Sequence, residues 1–553
     1  MNWYKTLNRK VKTALMVVLI AAATFGSFSF ADEYFEISKN IELFTSVYRE
    51  VHTYYVDEVE PGKLMRTGID AMLESLDPYT SFYSEAETEE YRFQITGQYG
   101  GIGATISLKG DYVIINEPYE GFPAAKADLR PGDQLISANG KSLKGLNTEE
   151  VSKVLKGTPN TDLKLVIKRH GKEMDKTLVR EKIHVNNVPY YGMVNENTGY
   201  ISLQNFRNDA GKEVANALIE LKNNNKLTSV ILDLRGNPGG LLMEAINVVN
   251  VFVPKNQLVV STRGKVKEQD REYRTLNNPV DLEIPVVVLT SRGSASASEI
   301  VSGTIQDLDR GVVLGQRTFG KGLVQSTRPL NYGTQIKLTT QKYYTPSGRC
   351  IQALDYSKKA EDGSVESVPD SLKKAFKTKG GRTVYDGGGI DPDVKKDIKY
   401  LSKITTSLLY KNLLFDFAVE YRGRHEQIAT ARDFKLSEDE WNNFVKFLED
   451  KDYAYQTETE KELEQLEAKA KKEGYYDAIK DNFKGLTEQL NHDKNADVTK
   501  NKAEIKEMIE QEIVRHYYHR KGRFEYSFIN DEEIKSAIEV LNDQNRYSKL
   551  LKP

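Results

Sequence analysis

The sequence predicts an α/β protein of several domains, and three observations carry that prediction. Between residues 185 and 395, the apolar runs Val230-Ile231-Leu232-Asp233-Leu234 and Pro285-Val286-Val287-Val288-Leu289 each lead into a helical pattern. That alternation builds a buried sheet with helices on it. Upstream, 97–182 carries short β-rich runs separated by Gly, Pro and Asn-Gly turns, as a small β domain would. The flanking segments 36–96 and 396–553 repeat apolar residues at helical spacing. A chain of 553 residues is long enough for several cores.

In chain order, Lys5, Arg9, Lys10 and Lys12 precede an uncharged stretch from Thr13 to Ala31, with small residues at Ser29 and Ala31. Residues 1–31 are therefore expected to be a signal peptide. An uncleaved anchor is the alternative, since the apolar run approaches the ~20 residues that span a bilayer. Either places the remainder outside the cytoplasm, in the periplasm or cell envelope, with membrane contact only through such an anchor. In 32–96, Ile41, Leu43, Phe44, Val47, Tyr48, Val51 and Tyr55 predict one helix and Leu64–Leu76 a second, stopped by Asp77-Pro78. The β-rich domain, 97–182, holds strands at 112–115, 134–138 and 163–167 and one helix, Thr148–Leu155. An α/β core spans 183–395. Residues 396–553 form a charged helical extension, with an apolar stripe at Trp441, Phe444, Val445 and Phe447. Within it, Lys461–Lys472 and Glu504–His519 are expected to be exposed helices, open to self-association or an adaptor.

Composition narrows the function. Lys plus Arg number 78 and Asp plus Glu 80, a net charge of −2, so nothing draws the chain to nucleic acid. The one cysteine, Cys350, can form no internal disulfide and fits a small buried hydrophobe, and no cysteine cluster can hold zinc. Gly315–Lys321 has P-loop spacing up to the lysine, but Gly322 replaces the magnesium-binding hydroxyl and a strand pattern follows. No cofactor is expected.

Gly97-Gln98-Tyr99-Gly100-Gly101-Ile102-Gly103 leads into a strand, Ala104–Leu108. Free N–H groups of such a loop can hold a carboxylate while the strand accepts a peptide along its edge, with helix Thr148–Leu155 as the other wall. The region resembles a PDZ domain over nearly its whole length, which makes Gly100, Gly101, Ile102 and Gly103 candidate peptide-binding residues. Arg130, in Leu129-Arg130-Pro131-Gly132-Asp133, is a candidate for sensing occupancy.

Two further motifs lie in the core. Asp233-Leu234-Arg235-Gly236-Asn237-Pro238-Gly239-Gly240 stands at a strand end before a helix starting near Leu241. Backbone N–H groups there suit an oxyanion hole, although a tight strand-to-helix turn alone would also explain the glycines. Ser291–Ile300 places serines at a second strand-to-helix junction. A serine needs a base, and of the seven histidines only His184 lies at the edge of this core. A lysine kept neutral by poor solvation is the other known base. Lys321, flanked by Phe319, Gly320, Gly322 and Leu323 with no adjacent carboxylate in sequence, suits that state.

The strings DLRGNPGG, SASASEI, TFGKGLVQ and YYTPSGR, with LDPYTSF ahead of the PDZ-like region, resemble the C-terminal processing peptidase family over about residues 36–395. The resemblance implies a multidomain α/β fold: a ClpP/crotonase-like protease core, an inserted PDZ domain, an N-terminal helical segment and a C-terminal helical extension. It implies Ser296 as nucleophile, Lys321 as base and Gln325 as the residue orienting the lysine. The oxyanion donors would be Ala297 N–H and Gly239 N–H, with Gly240 N–H as the alternative to Gly239. Ser294 and Ser298 are expected to be hydrogen-bonding neighbours, and no family motif maps onto 396–553. The implied activity is a serine endopeptidase of the cell envelope that recognises apolar C-terminal tails of proteins or peptides. A non-catalytic peptide-binding scaffold and an enoyl-thioester-type α/β enzyme are the competing readings.

Overall fold

The computed structural model describes residues 34–224, 226–359, 363–490 and 494–553; the export signal expected at 1–31 lies outside them. The chain divides into two units, one running to Ser84 together with Thr327–Leu338, the other comprising Glu85–Ser326 and Thr339–Pro553.

In the first unit, helix 34–54 and helix Pro61–Glu74 precede a short strand, Ser81–Tyr83. That strand pairs antiparallel with residues 335–337. The stop expected at Asp77-Pro78 has a visible cause: the Asp77 carboxylate accepts from Tyr79 N–H at 2.8 Å and Thr80 N–H at 2.9 Å. The helical spacing of Ile41, Leu43, Phe44 and Val47 is realised, yet all four side chains are exposed.

The centre of the second unit is a six-stranded sheet. Its order is Tyr190–Met193, Thr198–Ser202, Ser229–Asp233, Val286–Thr290, Val312–Gly315, Val394–Lys395, all parallel except the first. Side chains alternate faces along a strand. Val230, Leu232, Val286 and Val288 face helices Ala210–Asn224, Leu242–Asn250 and Ala297–Asp307. Ile231, Val287, Leu289, Val312 and Leu314 face the other way and pack against Phe524, Phe528, Ile534, Ala537, Val540 and Leu541. The C-terminal helices are thus the second layer of the core, which explains why the strands are apolar without interruption.

This corrects the expectation for 396–553. Helix Glu458–Glu473 is exposed as expected, burying only Ala470. Helix Lys502–Asn530 is not: Ile505, Ile509, Ile513, Val514 and His516 are buried. The stripe of Trp441 and Phe444 meets Ile505, Ile509 and Phe417 in a separate helical core. The charges of 504–519 hid an apolar face at 505, 509 and 513. The long helix is kinked at His519, whose φ of 53° and ψ of −153° are non-helical.

The β-rich domain has its own core of Val113, Ile115, Leu135, Val151, Leu163, Leu165 and Ile167. Helix Thr148–Leu155 forms where expected, closed by a capping box of Asn147 and Glu150. Entry strand Gln98–Gly101 pairs with exit strand Glu181–His184. Against the C-terminal helices the domain makes a Lys109–Asp416 ion pair of 2.5 Å, and its Gly132, at φ +88°, leaves room for Val419 where a Cβ would come within 2.7 Å. Among the described residues, no helix is long and apolar enough to cross a membrane.

Candidate active site

Strand Val286–Thr290 gives way to a turn at Ser291, and helix Ala297–Asp307 begins one residue after Ser296. Ser296 is its N-cap, with φ 55° and ψ −111°. A side-chain-bearing residue at this φ is strained, so the surroundings must hold it there. Such strain marks serines displayed at a strand-to-helix turn.

Three sets of contacts hold Ser296. Gly239 packs directly on it: a Cβ at Gly239, where φ is +100°, would lie 2.8 Å from Ser296 Cβ and 2.9 Å from Ala297 N. Only glycine fits, and the glycine turn is thereby brought against the serine. The Ser296 N–H donates to Glu299 Oε2 at 2.7 Å, and the Ser296 carbonyl accepts from Tyr343 Oη at 3.1 Å.

The same two side chains hold Lys321. Glu299 Oε2 accepts from Lys321 N–H at 2.9 Å, and Glu299 Oε1 accepts from Gly320 N–H at 2.7 Å and Thr318 Oγ1 at 2.6 Å. The Lys321 carbonyl accepts from Tyr343 Oη at 2.6 Å. One carboxylate and one phenol therefore tie the serine turn to the lysine loop, although 25 residues separate Ser296 from Lys321. Both ties are buried, with Glu299 0% and Tyr343 1% exposed. Burial pushes the Glu299 carboxyl up to about 7 against the pull of its four donors. The absence of a carboxylate beside Lys321 in sequence does not hold in space: Glu299 is adjacent, with both oxygens engaged by backbone N–H and hydroxyl donors.

The neighbouring serines are structural. Ser294 Oγ donates to Leu234 O at 2.7 Å and Ser298 Oγ to Asn237 O at 2.9 Å, both side chains fully buried, while Ser296 is partly exposed. Asn237 is the keystone of the glycine turn. Its Nδ2 donates to Leu203 O at 2.8 Å and its Oδ1 accepts from Gly239 N–H at 2.9 Å. Among the described residues the N–H groups of Ala297 and Gly240 have no hydrogen-bond partner, whereas that of Gly239 does. Gln325, on strand Leu323–Pro329, donates from Nε2 to Thr339 Oγ1 at 3.1 Å across the hairpin. Cys350, expected to be buried, is partly exposed.

In the β-rich domain the candidate residues divide. Gly100 belongs to the entry ladder: its carbonyl accepts from Gly157 N–H at 3.0 Å, and a Cβ on it would fall 2.1 Å from Gly157 O. It serves chain packing rather than the loop. Gly101 ends that strand, paired with Glu181. The carbonyls of Ile102 and Gly103 accept from Ala124 and Tyr119 N–H at 2.8 Å, while their own N–H groups have no partner among the described residues. Beside them a cavity of about 170 Å³ is lined by Phe93, Tyr99, Ile102, Ile106 and Leu155, with Lys156 at its edge. Arg130 is not among its lining residues; it pairs with Asp128 at 2.7 Å. The next turn residue, Gly132, abuts Val419 of the C-terminal helices. The Arg130 side chain, proposed to sense occupancy, therefore does not line this cavity.

Sequence reasoning gave no role to Glu299 or Tyr343, although both stand inside quoted motifs. Glu299 carried a signal, the S-x-x-E spacing of a capping box at Ser296. Tyr343 carried none, since its partners come from two other loops.

Fold and site together define the class: an α/β core that presents a serine at a strained turn, joined to a domain with an apolar, N–H-rimmed groove. Family models match in three places: "Peptidase family S41" over 197–357, "PDZ domain" over 114–169, and "Probable PDZ-protease, C-terminal helical domain" over 404–541. The resemblance to C-terminal processing peptidases is upheld: this chain joins a family S41 peptidase domain to a PDZ domain and a PDZ-protease C-terminal helical domain. The last match supplies the assignment that sequence motifs did not give for 396–553. The chain is similar to the "Probable CtpA-like serine protease" of Staphylococcus aureus strain N315, 36% identical over 315 residues, covering 56% of this chain and 62% of that one. The counterpart in Staphylococcus saprophyticus is 34% identical over 326 residues, covering 58% and 66%. The chain therefore spans a little under two thirds of these relatives. A solved structure of photosystem II D1 C-terminal processing protease aligns with 27% identity and a TM-score of 0.34, covering 64% of this chain and 92% of that one.

Proposed function

We propose that the protein is a serine endopeptidase whose nucleophile is Ser296 and whose base is Lys321. One observation carries this reading: Glu299 and Tyr343 each hydrogen-bond to both residues' backbones, fixing a strained serine beside a lysine loop. Neutral Lys321 takes the Ser296 hydroxyl proton as Oγ attacks the peptide carbonyl carbon. The oxyanion is met by the open Ala297 N–H at the helix start and by an N–H of the Gly239-Gly240 turn; such donors are worth about 3 kcal/mol each. The protonated lysine returns its proton to the leaving amine, and water then hydrolyses the acyl-enzyme. Gln325 steadies the lysine from the neighbouring strand.

The free N–H groups of Ile102 and Gly103, above an apolar cavity, support capture of a substrate's apolar C-terminal residue and its carboxylate. The basic-then-apolar pattern of residues 5–31 supports action outside the cytoplasm, at the cell envelope.

The test is cleavage of an unfolded protein ending in an apolar tail, read by mass spectrometry. Ser296→Ala and Lys321→Ala are expected to abolish cleavage, and amidating the substrate's C-terminus to weaken it. Binding without turnover by the wild-type protein would favour the scaffold reading. Cleavage that survives Lys321→Ala would remove the lysine from its role.

A further inference from the structure

The C-terminal helices reach the glycine turn through Arg235. Its guanidinium spans two segments nearly 300 residues apart in sequence. From its own side it takes Asp233, with Nε 3.0 Å from each carboxylate oxygen and Nη2 2.6 Å from Oδ2. From the far side Nη1 donates to Asp531 Oδ2 at 2.8 Å and Glu533 Oε2 at 2.7 Å. Asp233 is held in turn by Tyr200 Oη at 2.7 Å. These are charge-assisted bonds in a largely buried setting, where geometry is strongly enforced.

Asp531 does two things at once. Its Oδ1 caps helix Glu532–Asn542 by accepting from Glu533 and Ile534 N–H, at 2.9 and 3.2 Å, leaving Oδ2 for the arginine. That helix is anchored on the sheet through Ile534, Ala537, Val540 and Leu541. The two carboxylates therefore stand on a rigid support. Arg235 is followed by Gly236-Asn237-Pro238-Gly239, and an arginine fixed at both ends fixes where this turn leaves the sheet.

We propose that Asp531 and Glu533 are positioning residues for the peptidase reaction: through Arg235 they set the placement of the Gly239-Gly240 turn against Ser296. The C-terminal helical domain is then part of the catalytic assembly. This rests on the reading of the turn as an oxyanion site. It differs from a stability role in what it leaves untouched, since Asn at 531 keeps the helix cap and Gln at 533 keeps the volume.

The experiment compares the full chain with D531N/E533Q, R235K and the combination. The variant D531N/E533Q is expected to lose at least about tenfold in kcat, part of what one misplaced oxyanion donor costs. KM and the affinity for an apolar-tailed peptide should stay unchanged, as should the melting temperature of the helical domain. R235K should show the same loss, and the combination no further loss, since all act through one contact. Hydrogen exchange of the 234–241 amides should quicken in each variant. Unchanged kcat in D531N/E533Q overturns the proposal, as does a loss of kcat matched by loss of peptide binding and of folding. Exchange separates this from failure of the peptidase reading. If the wild-type protein never cleaves, that reading falls, and unchanged exchange at 234–241 would independently show that the carboxylates do not position the turn.

Discussion

The PDZ domain and the C-terminal helices both flank the S41 core, but they are joined to it by different physics. The PDZ domain closes a core of its own around Val113, Leu135 and Leu165, and meets the rest of its unit through a pair of short strands, 98–101 with 181–184, and local contacts such as the Lys109–Asp416 ion pair and Gly132 against Val419. The C-terminal helices share a core with the sheet, Val540 and Ile534 packing on Ile231 and Leu289. A domain with its own core can be lost or moved without unfolding its neighbour, whereas a shared core stands or falls as one. In the proposed function, recognition belongs to the domain with its own core and chemistry to the shared one.

The largest expected effects break that comparison directly. Val540→Asp puts a charge into the shared layer and should cost at least about 3–5 kcal/mol, unfolding sheet and helices together. Leu165→Asp should melt the PDZ domain alone. Calorimetry reads the contrast as one lost transition in the second case and loss of the main transition in the first; a PDZ variant that took the core with it would refute the distinction.

Next in size is the buried Glu299. Its carboxyl is raised from 4.5 to about 7 in the fold. A raised carboxyl binds more protons folded than unfolded, so its contribution to stability is greatest at acid pH and declines as pH rises from about 4.5 through about 7. The decline amounts to roughly 3 kcal/mol. In Glu299→Gln that slope should vanish, and activity should fall at every pH because the tie between Ser296 and Lys321 is weakened. Urea midpoints at pH 5 and pH 8 measure it.

Smaller effects sharpen the picture of the groove. At Gly103, φ is +72° and a Cβ would fall 2.6 Å from Phe122 Cβ. Gly103→Ala should reduce peptide-tail affinity by about tenfold or more, with cleavage of tail-independent peptides intact, as titration of a fluorescent tail peptide would show. Arg130→Ala should do least. Its pair with Asp128 is partly exposed and worth under about 1 kcal/mol, so the tail dependence of cleavage should not change.

What was legible in the sequence follows the range of the interactions. The helix Thr148–Leu155, the strand at 134–138 and the stop at Asp77 were readable because a cap, a short β-rich run between turns and an Asx turn are local. The catalytic candidates were readable as motifs because backbone strain and close glycine approach restrict residue choice at those points. The second layer of the core was not, because Phe524, Phe528, Ile534, Ala537, Val540 and Leu541 lie far along the chain from the strands they cover; in 504–519 the buried positions, spaced among charges, belong to the separate helical core. Yet the strands carried half the answer: an apolar run with no polar alternation at 286–289 requires cover on both faces. Tyr343 and Arg235 were illegible as connectors for the same reason, their partners being set only by the fold.

The most direct measurement of the central claim is covalent labelling by a serine-reactive fluorophosphonate, with the modified residue mapped by mass spectrometry. The account predicts a single adduct on Ser296, abolished in Lys321→Ala and slowed in Glu299→Gln. An adduct on Ser294 or Ser298, or undiminished labelling of Ser296 without Lys321, would contradict it.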